Sequence, residues 1–264
     1  MATGRLTAVL TTFAIFMIGC ASAPIQAPPE VRQALAPTGT LRIGVLMGTP
    51  GQMIRDPATG EARGVSYELG RAFAQRLGVP FEVIPLRGFV EFNDALKSRR
   101  VDFGAVNATP ARAAIMDFAP PHLRVESGFL VPPDSSIRTI GDIDRKGVRV
   151  GVTAGSTTQA RFSRELKNAV LVPAPSVTAA IKMFAEGRMD AYATNKANLF
   201  EMADQLPGFR VLDGRFDVEQ FSIAIPKGRE VGMSFLQQFV EDAKATGLVA
   251  AAAKRAGLRG LAND

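Results

Sequence analysis

From Leu41 onward, short runs rich in Val, Ile and Leu alternate with longer stretches in which apolar positions recur every three or four residues. "LRIGV" at Leu41 predicts a strand, and "VSYELGRAFAQRLG" predicts a helix that closes on Gly78, a suitable left-handed C-cap. "FEVIP" at Phe81, a helix near "EFNDALKS" and a strand at "VDFGAV" continue the series. Near Ser135 the cycle restarts with "VRVGV" at Val148, a helix from about Thr157, "VLVPA" near Val170, a helix over "VTAAIKMFAEG" and a strand at "DAYAT". This alternation predicts an α/β fold with a mainly parallel sheet. The chain closes with a strand at "FSIAIPKG" and the largely helical "GMSFLQQFVEDAKATGLVAAAAKRAG". These last elements can rejoin the first half, which leaves the second half inserted between two crossings.

The two halves echo each other. In "ALKSRRVDFGAV" and "FAEGRMDAYAT" a helix ends, a basic and an apolar residue pass, and an Asp opens a short strand. The echo suggests two similar lobes, although many α/β units end their helices this way.

The first forty residues follow a different pattern. Arg5, the short apolar run "LTAVLTTFAIFMI" and the small residues after it read as an export signal over residues 1–19, too short to span a bilayer comfortably. "ASA" at Ala21–Ala23 resembles a general cleavage site, but Pro24 would follow it. "MIGC" resembles a bacterial lipobox that would make Cys20 a lipidated first residue, with Met17 departing from the usual leucine. Cys20 is the only cysteine, so no internal disulfide forms, and its other reading is a small apolar residue of the signal. The Pro- and Ala-rich residues 20–38 are expected to form a flexible tether. The product is therefore expected in the periplasm or at the cell surface, anchored or free.

Charge narrows the function. The formal net charge of +6 comes from Lys and Arg spread along the chain, a solvated surface that does not point to nucleic acid. One histidine and one cysteine cannot build a zinc-type cluster, "GVTAGSTT" lacks the lysine of a phosphate-binding loop, and no nucleophile elbow is present. No metal and no cofactor are expected.

What remains is polar chemistry at strand ends, where open α/β sheets gather ligands. In "NATPAR", Thr109 has the place of an N-cap and Pro110 that of the first helical residue, which puts Arg112 in a first turn. A cation there opposes the helix dipole, so either a ligand or a salt bridge to another loop would account for it. In "GVTAGSTTQ", Ser156 and Gln159 have capping-box spacing. That segment is either a cap alone or a seat in which helix-start amides and the Ser156 and Thr157 hydroxyls hold a carboxylate, with the planar fork of Arg112 opposite.

On "GTLRIGV", "DPATGEARGVSYEL", "VDFGAVNATPARAAIMDFAPPH", "GVRVGVTAGSTTQ" and "GRMDAYAT", in this order, the chain from about Gly39 to its end resembles the periplasmic amino-acid-binding proteins of ABC importers. The resemblance implies the two-lobed periplasmic-binding-protein fold, a Venus-flytrap with a double-strand hinge. Lobe 1 would comprise residues 39–125 and 219–264, lobe 2 residues 126–218, with hinge strands near Arg124–Gly128 and Phe216–Phe221. It also implies that Arg112, in a Thr-x-x-Arg pattern, meets the ligand carboxylate. Ser156 and Thr157 after Gly155 would meet it from lobe 2 with Thr153 and Thr158 beside them, while Asn107 and Thr109 contribute from lobe 1. Three features depart from the pattern. The segment from Asp102 to Thr109 is short, "MGTPGQMI" lacks an aromatic, and Asn195 stands where many members place an aspartate for the α-ammonium group.

The implied partners are a small carboxylate-bearing solute, an amino acid or a related compound, and the permease subunits of an importer. The protein itself would be monomeric and without turnover. Two other readings stay open: a binding-protein-fold enzyme, such as a dehydratase acting on a prephenate-like acid, and a sensory binding protein that serves no transporter. His122 reads as a partly exposed structural residue, Asp102 and Asp190 as braces of strand starts, and Ser66 and Glu68 as helix-start capping groups.

Overall fold

The structure, a computed structural model, describes residues 27–56 and 58–262; the expected signal segment and Cys20 lie outside them. The first lobe is built from α1 (Pro29–Leu35), β1 (Leu41–Leu46), the short pair β2 (Ile54–Arg55) and β3 (Ala62–Arg63), α2 (Val65–Leu77), β4 (Phe81–Leu86), α3 (Phe89–Lys97), β5 (Gly104–Asn107) and α4 (Pro110–Ala113). A long strand, β6 (Met116–Val131), leads into β7 (Arg149–Thr153), α5 (Thr157–Glu165), β8 (Val170–Ala174), α6 (Val177–Ala185), β9 (Ala191–Asn195), α7 (Lys196–Gln205) and β10 (Arg210–Val211). The chain returns through β11 (Asp217–Pro226) and ends in α8 (Met233–Ala245) and α9 (Leu248–Arg255).

The echo seen in sequence is a structural one. β1 pairs with β4 in parallel, and β7 pairs with β8 and β9 in parallel. At the start of β1, Asp102 accepts from the Arg42 amide at 3.0 Å and from its Nε at 2.7 Å; at the start of β7, Asp190 accepts from the Arg149 amide at 2.8 Å and its Nε at 3.0 Å. Two residues past each arginine sits a glycine, Gly44 or Gly151. A Cβ on Gly151 would collide with Met189, and one on Gly44 would press on Leu86 at 3.0 Å and Val101 at 3.2 Å. Both aspartates therefore brace strand starts, each through a two-pronged grip on an arginine.

β6 and β11 run antiparallel from Asp217 opposite Ser127 to Pro226 opposite Met116, and they join the lobes as a double-strand hinge. The expected crossings, Arg124–Gly128 and Phe216–Phe221, face each other at one end of this ladder, which runs on to Met116 and Pro226. Its register slips on either side of Ser222, opposite Pro121, next to Pro120, neither of which has an amide hydrogen to donate. β5 adds to β11 and β9 to β6, so one mixed sheet in the order β5-β11-β6-β9-β7-β8 runs through the hinge, with β10 on β6. The pairing is parallel in the separate β1–β4 sheet and among β7, β8 and β9, and antiparallel along β5, β11, β6 and β9, less parallel throughout than the alternation suggested.

Each lobe buries both sheet faces. In lobe 1, α2, α8 and α9 cover one face, with the Phe73 and Phe239 rings 4.8 Å apart, and α3 covers the other through Phe92 and Leu96. In lobe 2, α6 and α7 lie on one face and α5 on the other. No helix among the described residues is long and apolar enough to cross a membrane.

The structure corrects four expectations. The tether over residues 20–38 is structured in its described part: α1 buries Val31 and Leu35 in the lobe 1 core, and Leu35 fits against Gly232, where a Cβ would overlap it. α4 is a single turn, so Arg112 lies as close to its end as to its start and the dipole mismatch largely vanishes. His122 is buried, not partly exposed, and its Nδ1 has no partner. Ser66 and Glu68 do not cap α2: Ser66 donates to the Gly51 carbonyl at 3.0 Å, and Glu68 pairs with Arg255 of α9.

Candidate functional site

The carboxyl ends of β5, β7 and β9 converge on the cleft between the lobes, and the lobes are shut on one another. The start of α3 meets lobe 2 so closely that a Cβ on Gly88 would fall 2.5 Å from the Pro175 carbonyl oxygen. Between the lobes lies a cavity of about 40 Å³, well below the range of small-molecule sites while the lobes are shut. Leu46, Gln52 and Phe89 line it from lobe 1, Val125 and Phe221 from the hinge, and Thr153, Val177, Asn195 and Asn198 from lobe 2. Its walls are mainly apolar with a few fixed polar groups. Gln52 donates to the Ala105 carbonyl at 2.5 Å and keeps a buried Oε1 without a partner.

Arg112 is positioned by its own short helix. Thr109 caps α4, its Oγ1 accepting the Arg112 amide hydrogen at 3.2 Å, as the sequence suggests. The turn carries the guanidinium back to donate to the Asn107 carbonyl at 3.1 Å and across the cleft to the Gly155 carbonyl at 3.3 Å. It also lies 5.2 Å from the centre of the Phe89 ring. The side chain is 5% exposed and makes no ion pair with an acid among the described residues. Burial pulls its pKa down to about 10, an effect that Glu219 opposes, so Arg112 remains a cation at neutral pH. The salt bridge to another loop that would have explained it is absent.

The facing turn needs a glycine at 155. Its φ of +71° is left-handed, and a Cβ would lie 3.2 Å from Val90 Cγ2. Ser156 caps α5 by accepting the Gln159 amide hydrogen at 3.0 Å, while Gln159 Oε1 accepts the Gly155 amide hydrogen at 2.7 Å and the Ser156 amide donates to Thr153. Most of the helix-start amides offered as an anion seat are therefore engaged within the turn. The Thr157 hydroxyl instead donates to Glu219 Oε1 at 3.3 Å.

The remaining candidates divide. Thr153 shares a 2.6 Å hydrogen bond with the Tyr192 hydroxyl, whose pKa burial raises. Asn195 caps α7, its Oδ1 accepting from the Asn198 amide at 3.1 Å, and its Nδ2 donates to Glu219 Oε2 at 3.4 Å. Thr153 and Asn195 line the inner cavity, whereas Thr109, Arg112, Gly155, Ser156 and Thr157 line a depression on its outer side. Thr158 is buried and lines neither.

Glu219, on β11, is the residue that sequence reasoning missed. The Thr157 hydroxyl and the Asn195 side-chain amide donate to its carboxylate, and desolvation raises its pKa against the opposing influence of Asn107, of those two bonds and of Arg112. A signal was present: Glu219 stands two residues before Phe221, where the strand enters the apolar run through Ile225, and it is itself half-buried. Among the described residues no His, Cys, Asp or Glu cluster could hold a metal ion.

The sequence model of the family described as "Bacterial extracellular solute-binding proteins, family 3" matches residues 41–257. The chain is 27% identical over 191 residues to the amino-acid-binding protein AabA of Dichelobacter nodosus, covering 70% of this chain and 73% of that one. A solute receptor for L-cysteine of Neisseria gonorrhoeae superposes with a TM-score of 0.77 at 24% identity, over 89% of this chain and 99% of that one. Some similar proteins are enzymes or close to them. Membrane-bound lytic murein transglycosylase F of Aeromonas salmonicida is 30% identical over 149 residues, 53% of this chain and 27% of the enzyme. An ancestral amino-acid-binding protein, a precursor of cyclohexadienyl dehydratase, has a TM-score of 0.72 at 24% identity, over 83% of this chain and 96% of that one.

Proposed function

This chain belongs to family 3 of the bacterial extracellular solute-binding proteins, and from that premise we propose that it is the exported substrate-binding component of an ABC importer. Its solute is a small carboxylate-bearing compound, an amino acid or a close relative, taken up without chemical turnover. Lobe 1 comprises residues 39–125 and 219–264, joined by the α1 segment, and lobe 2 residues 126–218. The lobes open and shut about the β6–β11 ladder, and membrane permease subunits read the shut form. Cys20 is the lipid anchor of a monomeric mature chain.

The observation that carries this reading is the state of Arg112. A guanidinium withdrawn from water needs charge compensation, and two neutral carbonyls supply only part of it. A carboxylate entering between Arg112 and the Gly155–Thr157 turn would replace those carbonyls with charge-assisted, bidentate bonds, roughly twice as strong as neutral ones. Because such a ligand touches both lobes, it binds the shut form better than the open form, the condition for shifting the balance between them.

The test is ligand-induced thermal stabilisation across a library of small carboxylates, with wild type and Arg112→Ala side by side. Wild type should be stabilised by at least one carboxylate and the variant by none; equal stabilisation of both removes the reading. A second reading, a dehydratase acting on a prephenate-like acid, draws on one observation, a half-buried carboxyl of raised pKa, Glu219, hydrogen-bonded to Thr157 of the candidate anion site. Turnover of prephenate by the purified protein would establish it over the first.

A further inference from the structure

Beyond α9 the chain stays on the molecule. Gly257 takes a left-handed φ of +64°, its amide donates to the Lys254 carbonyl at 3.0 Å, and the Leu258 amide donates to the Ala253 carbonyl at 2.9 Å, a Schellman close to the helix. The Leu258 side chain then enters the lobe 1 core and forms part of the wall of the inner cavity. The next four residues run beside the β6 crossing as an added strand. Leu261 lies opposite Val125 in antiparallel register, the Glu126 amide donates to the Gly260 carbonyl at 2.8 Å, and the Ala262 amide donates to the Arg124 carbonyl at 3.1 Å.

The same four residues take hold of lobe 2. Arg259 donates through both Nη groups to Asp204 of α7 and lies 4.9 Å from the centre of the Phe200 ring, one turn earlier on that helix. Gly260 is fitted to the start of α7: its φ is +75°, and a Cβ would fall 2.4 Å from Lys196 Cβ. Lys196 Nζ in turn donates to Glu126 of the crossing at 2.7 Å, and Arg215 donates to the other Glu126 oxygen at 2.7 Å. Residues 258–262 are thus seated at once in lobe 1, on the crossing and on lobe 2.

This placement makes the contacts sensitive to how the lobes stand. Leu258 moves with lobe 1 and α7 with lobe 2, and a single residue, Arg259, separates Leu258 from the glycine seated on α7. The backbone bonds to Arg124 and Glu126 lie on the stretch of β6 that bends when the lobes part. So short a connection has no slack to follow that bend, and its contacts shear. We infer that residues 258–262 form a strap that holds the lobes shut, with the contact of Arg259 to Asp204 and Phe200 as its clasp. The inference rests on the reading that the lobes open and shut about the β6–β11 ladder, and adds to it the element that sets their balance. A larger shut share before binding also raises the apparent affinity for any solute that prefers the shut form.

The distance between two spin labels reads the balance. Labels go on Lys97→Cys of α3 and Lys182→Cys of α6, both exposed, in a Cys20→Ser chain so that no other thiol takes one. Pulsed electron double resonance without added solute should show the otherwise wild-type chain with a short distance, alone or beside a longer one. The ratio of short to long should fall about three- to tenfold in Arg259→Ala, as the loss of an exposed ion pair and a cation–π contact implies. It should fall at least as far in Gly260→Ala, whose methyl lifts the strap from α7. Thermal melts confirm that each variant is folded. An unchanged or higher ratio in either variant overturns the strap, and so does a wild type with the long distance alone; both leave the hinge reading standing. The short distance alone in all three proteins also overturns it, because the lobes then stay shut without the strap. If that short distance persists in a labelled Arg112→Ala as well, the hinge reading falls with it.

Discussion

Asp102 and Asp190 hold the same place in the two lobes, yet neutralising them should have very different consequences. Asp102 is fully buried and accepts from the Arg42 amide, Nε and Nη2, and also from Nη2 of the buried Arg229 at 2.7 Å. Asp190 accepts the equivalent set from Arg149 but has no second arginine, and its side chain is 36% exposed. Asp102→Asn keeps the volume but turns one oxygen into a donor facing a guanidinium and leaves Arg229 with the Leu35 carbonyl as its remaining bond. Breaking a buried pair in this way costs about 3–5 kcal/mol. Asp190→Asn breaks a half-exposed pair that water can replace, at a cost of about 0–1 kcal/mol. For a chain of this size the first corresponds to a fall in melting temperature of about 6–20 °C and the second to at most about 4 °C. Thermal and urea unfolding of the two variants measure the contrast. A loss in Asp190→Asn as large as that in Asp102→Asn would refute the argument that burial and the second arginine set the cost.

Two further outcomes concern His122 and Cys20. His122 is buried against Lys244, and burial first, then that neighbour, pushes its pKa down to about 4, so the fold holds it neutral while the unfolded chain protonates near 6.5. Between these values the unfolded state binds more protons, so stability is full above pH 6.5 and falls by about 3 kcal/mol as the pH drops toward 4. Denaturant titrations at stepped pH should give that slope in wild type and a flatter one in His122→Gln. Labelled palmitate should be incorporated by cells expressing the full chain and not by those expressing Cys20→Ser; equal incorporation removes the anchor.

The parts legible in the sequence are those fixed by neighbours along the chain. Thr109 and Pro110 mark the start of α4, Ser156 that of α5 and Gly78 the end of α2, because caps depend on residues within one turn. The repeated Asp before a strand was visible as well, though its partners, Arg42 and Arg149, lie 60 and 41 residues away. What could not be read depended on distant contacts. Pro and Ala around residues 28–36 look like a spacer until Leu35 meets the Gly232 backbone nearly two hundred residues later. His122 follows two prolines on a strand whose register slips there, so alternation gave no guide to its side. Glu219 was overlooked because the ligand argument followed strand ends, and this carboxylate comes from the side of a crossing strand.

The packing of α1 has a bearing on how the protein would sit at a membrane. A lipid on Cys20 would lie seven residue steps from Ala27, which is already buried in the first lobe. Seven residue steps reach at most about 25 Å even when fully stretched, less than the width of the folded body. Such a short mooring would confine each molecule to a layer hugging the lipid surface, so that finding a transporter becomes a search in two dimensions.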